Sequence, residues 1–336
     1  MKGLMWWCLP PLLALLVFAG GCGDDEGESG GATGTPGATT GASPAVGTFE
    51  EFDCEADYPG TTPDASAFPV DVTDDSGATV SLEAPPEAIV SLSAAHVEVL
   101  YAIGAGDQLI AGDLFSDCPA AAAEELEHVD SFAPSVEAIA ALEPDLVVLG
   151  FADPDLQQAL AGVGVGSFLM ESPAEVDGVL DDIALLGRMT GHEKEAQALT
   201  AGMEERIEVI VDGLPEGEAP SVFHEVDNLL YSAGPGSFVA DLYEILKAEN
   251  IAAATGQAFP QLTQEAIIDA APDVIVLADE EAGESADTVS ARPGWDSIPA
   301  VQNERIYAVD PDIVSRPGPR LIEALEVLAG LLYGEP

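Results

Sequence analysis

The stretches EAIAALEPDLVVL (residues 137–149) and EAIIDAAPDVIVL (residues 265–277) are two copies of one pattern, 128 residues apart. In each, a Glu follows a Ser or Thr by two residues (Ser135, Thr263), a short apolar-periodic segment comes next, and Pro-Asp leads into an unbroken aliphatic run. The hydroxyl residue is a natural N-cap, and the Glu falls in the first turn, at the positive end of the helix dipole. The proline disfavours helix in the residue before it. Runs such as LVVL and VIVL, apolar at every position, belong to parallel strands covered by helices on both faces. Each copy therefore reads as a helix followed by a buried strand, and two copies at this spacing predict two similar α/β lobes.

The chain on either side of the copies fits that plan. Alternation around Asp-Asp-Ser-Gly predicts a β-hairpin over 69–82. A first series then runs strand 88–93, helix to Ile103, strand LIAG, a short acidic helix, the first copy, a helix from Pro154 and strand GSFLM. Strands separated by short helices indicate a parallel sheet. Residues 174–189 read as a helix, and 193–213 as a long amphipathic one with Leu199, Met203, Ile207, Ile210 and Val211 on one stripe. At ~1.5 Å per residue the latter spans about 30 Å, enough to pass from one lobe to the other. A second series follows: strand SVFHEV, a helix from Ser237, the second copy, strand RIYAV and a closing helix over 319–333.

The 336 residues provide for two domains of ordinary size, and 9 Lys and Arg against 61 Asp and Glu give a formal net charge of −52. A surface so acidic repels phosphate backbones and anionic lipid, which argues against a nucleic-acid partner. Adaptation to a saline exterior and a lineage bias towards acidic, Ala- and Gly-rich proteins both account for it. At the N-terminus, Lys2 is the only charge before an apolar stretch over 9–18, and small residues Ala19, Gly20 and Gly21 precede Cys22. This junction resembles the lipobox of bacterial lipoproteins, which implies cleavage before Cys22, lipidation of its thiol and anchoring to the outer face of a membrane. The alternative is an uncleaved anchor helix. Either way the folded part lies outside the cytoplasm. Gly, Ala, Thr and Ser enrichment over 23–47 marks a flexible tether. Cys54 and Cys118 suit an oxidising compartment and a disulfide, the alternative being two free thiols; neither has Cys or His at metal-ligand spacing.

Taken in order, VSLSAAHVEVLYAIGAGDQLIAG (90–112), DLFSDCP (113–119), the two copies, RPGW (292–295) and SRPGPR (315–320) resemble the periplasmic substrate-binding proteins that feed ABC importers of vitamin B12, haem and ferric siderophores. The SDCP and QAFPQLTQE segments are most similar to the cobalamin-binding branch. The resemblance implies the fold class: α/β, with two Rossmann-like lobes carrying parallel sheets and joined by a single long α-helix. It also implies the division into signal peptide (1–21), lipidated Cys and tether (22–65), N-terminal lobe (66–190), interlobe helix (191–214) and C-terminal lobe (215–336). Ligand would lie in the interlobe cleft, closure would be modest, and each lobe would dock on one half of an ABC permease dimer served by a cytoplasmic ATPase. An acidic residue on each lobe would meet permease arginines, and the matching positions are Glu137 and Glu265. The bland alternative is that each only stabilises its helix N-terminus.

By the same resemblance Phe115 occupies the place of a corrin-contacting aromatic, Phe259 a second, and Phe132 and Phe151 approximate ones. Aromatic rings cover flat or apolar ligand faces at low entropic cost, although any one of them could be ordinary core. His96 and His224 lie just beyond or within the first strand of each lobe, near Glu98, Glu225 and Asp227, as cleft contacts or, less expectedly, axial ligands to cobalt or iron. His128 and His192 read as surface. Four of the six arginines (Arg292, Arg305, Arg316, Arg320) fall in one C-terminal stretch. Arg316 is the choice for a ligand contact and Tyr231 a weaker candidate, the alternative being pairing with local acids. Trp295, in RPGW, would report on closure if it lay near the cleft.

No G-x-S-x-G elbow between strand and helix, no Walker A loop and no H-E-x-x-H is present, so catalysis is not expected. The expected role is capture of a cobalamin-like corrinoid, with a ferric siderophore or haem as alternative cargo and a membrane-tethered sensor as an alternative of another class. No intrinsic cofactor or protein-held metal is expected; any cobalt or iron would arrive with the ligand.

Overall fold

The computed structural model describes residues 51–279 and 283–334. The signal segment, Cys22 and most of the tether lie outside them. A hairpin opens the described chain, with β1 (Val70–Thr73) antiparallel to β2 (Thr79–Leu82). Its turn is set by Asp74, whose carboxylate accepts from the backbone N–H groups of Ser76 and Ala78, and by Gly77 at φ +83°.

The first lobe holds strands β3 (Ile89–Leu92), β4 (Leu109–Asp113), β5 (Glu127–Val129), β6 (Leu146–Leu149) and β7 (Ser167–Leu169). Its helices are α1 (Ala94–Ala102), α2 (Ala120–Glu125), α3 (Val136–Ala141), α4 (Pro154–Gly162) and α5 (Val176–Thr190). The sheet order is β5-β4-β3-β6-β7, every pair parallel. After α6 (Glu193–Gly213) the second lobe follows as β8 (Ser221–Glu225), α7 (Phe238–Ile245), β9 (Glu249–Asn250), α8 (Gln264–Ala270), β10 (Val274–Leu277), α9 (Ala286–Ser290), α10 (Pro299–Gln302), β11 (Ile306–Ala308), α11 (Pro311–Ser315) and α12 (Leu321–Tyr333). Its sheet order is β11-β10-β8-β9, again parallel. Both sheets reverse their winding once, between β3 and β6 and between β8 and β10. Open α/β sheets bind ligands beyond the carboxyl ends of their strands, at such switch points.

The two repeat copies are α3–β6 and α8–β10. Ser135 and Thr263 accept from the N–H groups of Ala138 and Ala266, both at 3.2 Å, as N-caps should. All four residues of β6 and of β10 are buried, as unbroken aliphatic runs require. Each copy also uses its Pro-Asp in the same way. Glu143 and Ala271, immediately before the prolines, turn left-handed at φ +52° and +48°. Asp145 then accepts from the N–H groups of Glu87 and Ala88 (2.9 and 3.1 Å), and Asp273 from the N–H and hydroxyl of Ser221 (2.9 and 2.8 Å). Each carboxylate thereby fastens the start of the neighbouring strand.

Helix α6 packs against α5 of the first lobe and α12 at the end of the second, with Ala196 and Met203 fully buried. Close approach to α5 depends on Gly187, where a Cβ would come within 2.4 Å of the Ala196 methyl. Arg206 of α6 is ion-paired with Glu326 of α12 and lies 3.6 Å from Glu51.

Two expectations need correcting. Residues 51–65, grouped with the tether, are part of the folded body: Phe52 is buried and stacked on Tyr58, the Thr61 N–H donates to Gly104, and Cys54 is joined to Cys118 in a disulfide. His192, read as surface, is wholly buried, with its ring bonded to Thr190 Oγ1 and to the Thr61 carbonyl, so this inserted segment is what covers it.

Candidate functional site

Three loops that leave the carboxyl ends of strands in the first sheet each present a phenylalanine. Phe115 follows β4, Phe132 follows β5 and Phe151 follows β6; they are 52%, 77% and 40% exposed. Apolar side chains left in water on a folded surface mark a contact face. The rings form one group. Phe132 and Phe151 are stacked, with centroids 6.3 Å apart and planes 18° apart, and Phe115 meets Phe132 edge-on at 6.0 Å. Polar bonds fix their loops. Asp113, at the end of β4, accepts from the Phe115 N–H and the hydroxyls of Ser116 and Ser131, and Asp130 accepts from the N–H groups of Phe132 and Ala133. The corresponding edge of the second sheet exposes Leu229 and Tyr231 after β8 and Phe259 after β9. A bridge between Tyr231 and Gln261 holds those two segments together.

Behind the second edge lies a cluster of charged side chains at the β8/β10 switch point. Glu225, wholly buried, takes both arms of the Arg292 guanidinium at 2.6 and 2.5 Å. Arg292 also donates to Glu284 and lies 4.7 Å above the ring of Trp295, which packs deep in the lobe against Phe223. Trp295 is thus a core residue of the second lobe and not a residue of the cleft rim. Asp279, two residues past β10 and 6% exposed, has neither carboxylate oxygen paired. Burial, reinforced by the charges of Glu225 and Glu284, pushes its pKa up to about 7.

His96 and His224 are buried within their lobes. The Nδ1 of His224 is bonded to the Tyr243 hydroxyl of α7 at 2.8 Å, and its Nε2 has no partner; the Nδ1 of His96 has none either. Desolvation lowers both pKa values to about 4, so both rings are neutral at pH 7. His128 sits on the exposed end of β5, bonded to the Asp113 carbonyl. Arg316 is engaged by three carboxylates, Glu98, Asp117 and Asp312. Among the described residues no group of three or more His, Cys, Asp or Glu is placed to hold a metal ion. A groove of about 1550 Å³ lies at the opposite edge of the second sheet, along Pro220, Ser221, Asp273 and Arg305. It meets the amino ends of the strands and lies away from both switch points.

Residues 89–313 match the periplasmic binding protein family. The chain belongs to that family. An ABC transporter substrate-binding lipoprotein of Bacillus subtilis is 34% identical over 275 residues, covering 79% of this chain and 86% of the relative. A cobalamin-binding protein of Halobacterium salinarum is 30% identical over 285 residues, covering 80% and 75%. The structure of the periplasmic vitamin B12 binding protein of Vibrio cholerae superimposes with a TM-score of 0.65 at 25% identity, covering 74% of this chain and 97% of that one. As in other periplasmic binding proteins of this class, two α/β lobes flank one long helix.

Leu114, Leu229 and Asp279 escaped the sequence reading. The two leucines are apolar residues within loops, a usable signal once the strand ends are known. Asp279 is one of 61 acidic residues and is distinguished only by what the fold packs over it.

The Asp279 carboxyl has a measurable consequence. The folded state holds its proton up to about pH 7 while the unfolded chain loses it near 3.8, so its favourable contribution is full below that lower value and lost as pH rises through 7. Asp279→Asn should therefore stabilise the protein at pH 8 by more than at pH 4, read by urea denaturation at both; an equal effect at the two pH values would contradict the assignment.

Proposed function

We propose that this periplasmic binding protein captures a cobalamin-like corrinoid between its lobes and delivers it to an ABC importer. The observation that carries the reading is the Phe115–Phe132–Phe151 platform, held by ordered loops at the carboxyl edge of the sheet. A corrin ring is broad and largely apolar on its face, and stacked or edge-on aromatics cover such a face without ordering flexible side chains. Phe259 and Tyr231 supply the second lobe's contribution. The cobalamin- and vitamin B12-binding relatives support the same cargo. Haem and ferric siderophores are the alternative, since both present a flat or compact metal chelate to an aromatic surface. His96 and His224 stay buried within their lobes, and Arg316 is a residue of the seam. The role needs no catalysis, because binding and release complete it.

Titration of the full chain with cyanocobalamin, haemin and a ferric hydroxamate tests the cargo. Saturable binding of cyanocobalamin is expected, weakened roughly tenfold by Phe132→Ala, the loss typical of one well-placed aromatic contact. Saturation by the hydroxamate or haemin alone would replace corrinoid with that cargo.

Glu137 and Glu265 are exposed in the first turns of α3 and α8, at equivalent places in the two lobes, and we assign them to the permease. Cationic residues on the permease would meet them one per lobe, with complementarity governing encounter. Glu137→Arg with Glu265→Arg should abolish uptake in cells while leaving ligand affinity unchanged; normal uptake would remove the assignment.

Cys22, outside the described residues, is the proposed lipid attachment point, and it would hold the protein on the outer face of the cell membrane. In the producing organism Cys22→Ser should move the protein from the membrane fraction to the medium, whereas unchanged fractionation would rule that anchor out.

A further inference from the structure

The seam between the lobes contains a guanidinium shared by both. Arg316, at the end of α11, donates from Nη1 to Glu98 (3.1 Å) and to Asp117 (2.8 Å), and its Nη2 lies 2.6 Å from Asp312. Arg320, at the start of α12, donates to both oxygens of the same Glu98, at 3.1 and 2.6 Å. Glu98 belongs to α1 of the first lobe, and its side chain is completely buried. The turn that carries the two arginines lies directly on α1: a Cβ on Gly318 would be 3.6 Å from the Ala95 carbonyl and 3.7 Å from Glu98.

Glu98 and Asp312 already offer Arg316 two carboxylates, and both bring it close to elements packed at the seam. Asp117 is different. Its side chain is 62% exposed, and it lies two residues after Phe115 in the loop that follows β4. That loop is fastened at its start by Asp113 and at its end by the Cys54–Cys118 disulfide. Between those anchors, the tie from its side chains to the other lobe is Asp117 to Arg316. An ordinary surface ion pair contributes little, because two long side chains must be ordered in water. Here the guanidinium is 11% exposed and already oriented by its other partners, so pairing orders only the short Asp117 side chain.

We propose that Arg316 is a positioning residue: held by Glu98 and Asp312 at the seam, it grips Asp117 and thereby fixes the pose of the Phe115 loop in the opposite lobe. The first lobe's aromatic platform is then completed by the second lobe. The binding consequence rests on the corrinoid-face reading above; the ordering of the loop does not.

Amide hydrogen exchange on the full chain, comparing wild type with Asp117→Asn and Asp117→Glu, tests this directly. Loss of the grip should speed exchange of the hydrogen-bonded Phe115, Ser116 and Asp117 amides about fivefold in Asp117→Asn, the upper range for one such pair. Strands β3 and β6 should keep their protection, and Asp117→Glu should recover part of the loss. Because Asp117 is in solvent, wild-type loop exchange should also rise between about 0.1 M and about 1 M NaCl, as the screening length falls from about 10 Å to about 3 Å, and that salt response should be absent in Asp117→Asn. Cyanocobalamin affinity should fall in parallel. Unchanged loop exchange in Asp117→Asn overturns the proposal. If wild type binds no cyanocobalamin, the corrinoid reading fails while the exchange result still decides this one.

Discussion

Two aspartates at the amino edges of the sheets set the frame for everything beyond them. A parallel sheet has no hairpin to fix its register, and a slip of one residue would turn every side chain to the wrong face. Asp145 and Asp273 prevent that by binding the residues that lead into β3 and open β8, which leaves Ile89 opposite Leu146 and Val222 opposite Val274. The left-handed residues before the prolines, Glu143 and Ala271, cost roughly 1–2 kcal/mol each in backbone conformation, which the two bonds accepted by each aspartate offset. With β6 and β3 fixed in register at one edge, their ends emerge level at the other. Loops leaving β4, β5 and β6 at that edge bring three phenylalanines into one surface.

The lobes are tied together at three places along their common side. Helix α6 touches α5 on one lobe and α12 on the other, and a single apolar cluster includes Phe168 of the first sheet and Val222 of the second. Asp241 of α7 accepts from the Val176 N–H at the start of α5, satisfying a first-turn donor across the seam. Glu98 with Arg316 and Arg320 forms the third tie. Large relative rotation would have to open packed apolar surface and break a buried ion cluster together, so cargo must be accommodated mainly by side chains and loop tips. A rigid aromatic platform suits that constraint better than a flexible one.

The architecture was legible because its signals are local and repeated. Capped helices, Pro-Asp stops and aliphatic runs mark α3–β6 and α8–β10, and α6 covers the expected span 193–213 to the residue. The strands β5 and β9 left no such trace: one is three residues with two exposed, the other only two residues long. The site was legible in part. Phe115, Phe132, Phe151 and Phe259 were reached through resemblance, since nothing in a lone phenylalanine separates loop from core. The roles of Glu98, Asp117 and Asp279 depend on partners 199 to 222 residues distant or on what is packed above them, and no local pattern encodes that. His192 was misplaced for the same reason, because its cover comes from Thr61, 131 residues away.

Cations are scarce in this chain, and their placement is informative. Arg206 joins α6 to α12 and to the N-terminal segment, Arg292 neutralises Glu225 inside the second lobe, Arg305 caps the carbonyls of Leu331 and Leu332 at the end of α12, and Arg316 and Arg320 close the seam. Apart from Arg206, whose acidic partners are partly exposed, these guanidiniums sit where a buried carboxylate or a helix end would otherwise be unsatisfied. Little positive charge is left for the outer surface of a chain whose formal net charge is −52. Such a surface discriminates by repulsion as well as attraction. It turns away anionic lipid and like-charged proteins, and it favours a cationic docking face wherever the field is unopposed. Glu137 and Glu265 would then differ from the other surface acids through position, each at the positive end of a helix beside the aromatic edge of its lobe, and not through charge alone.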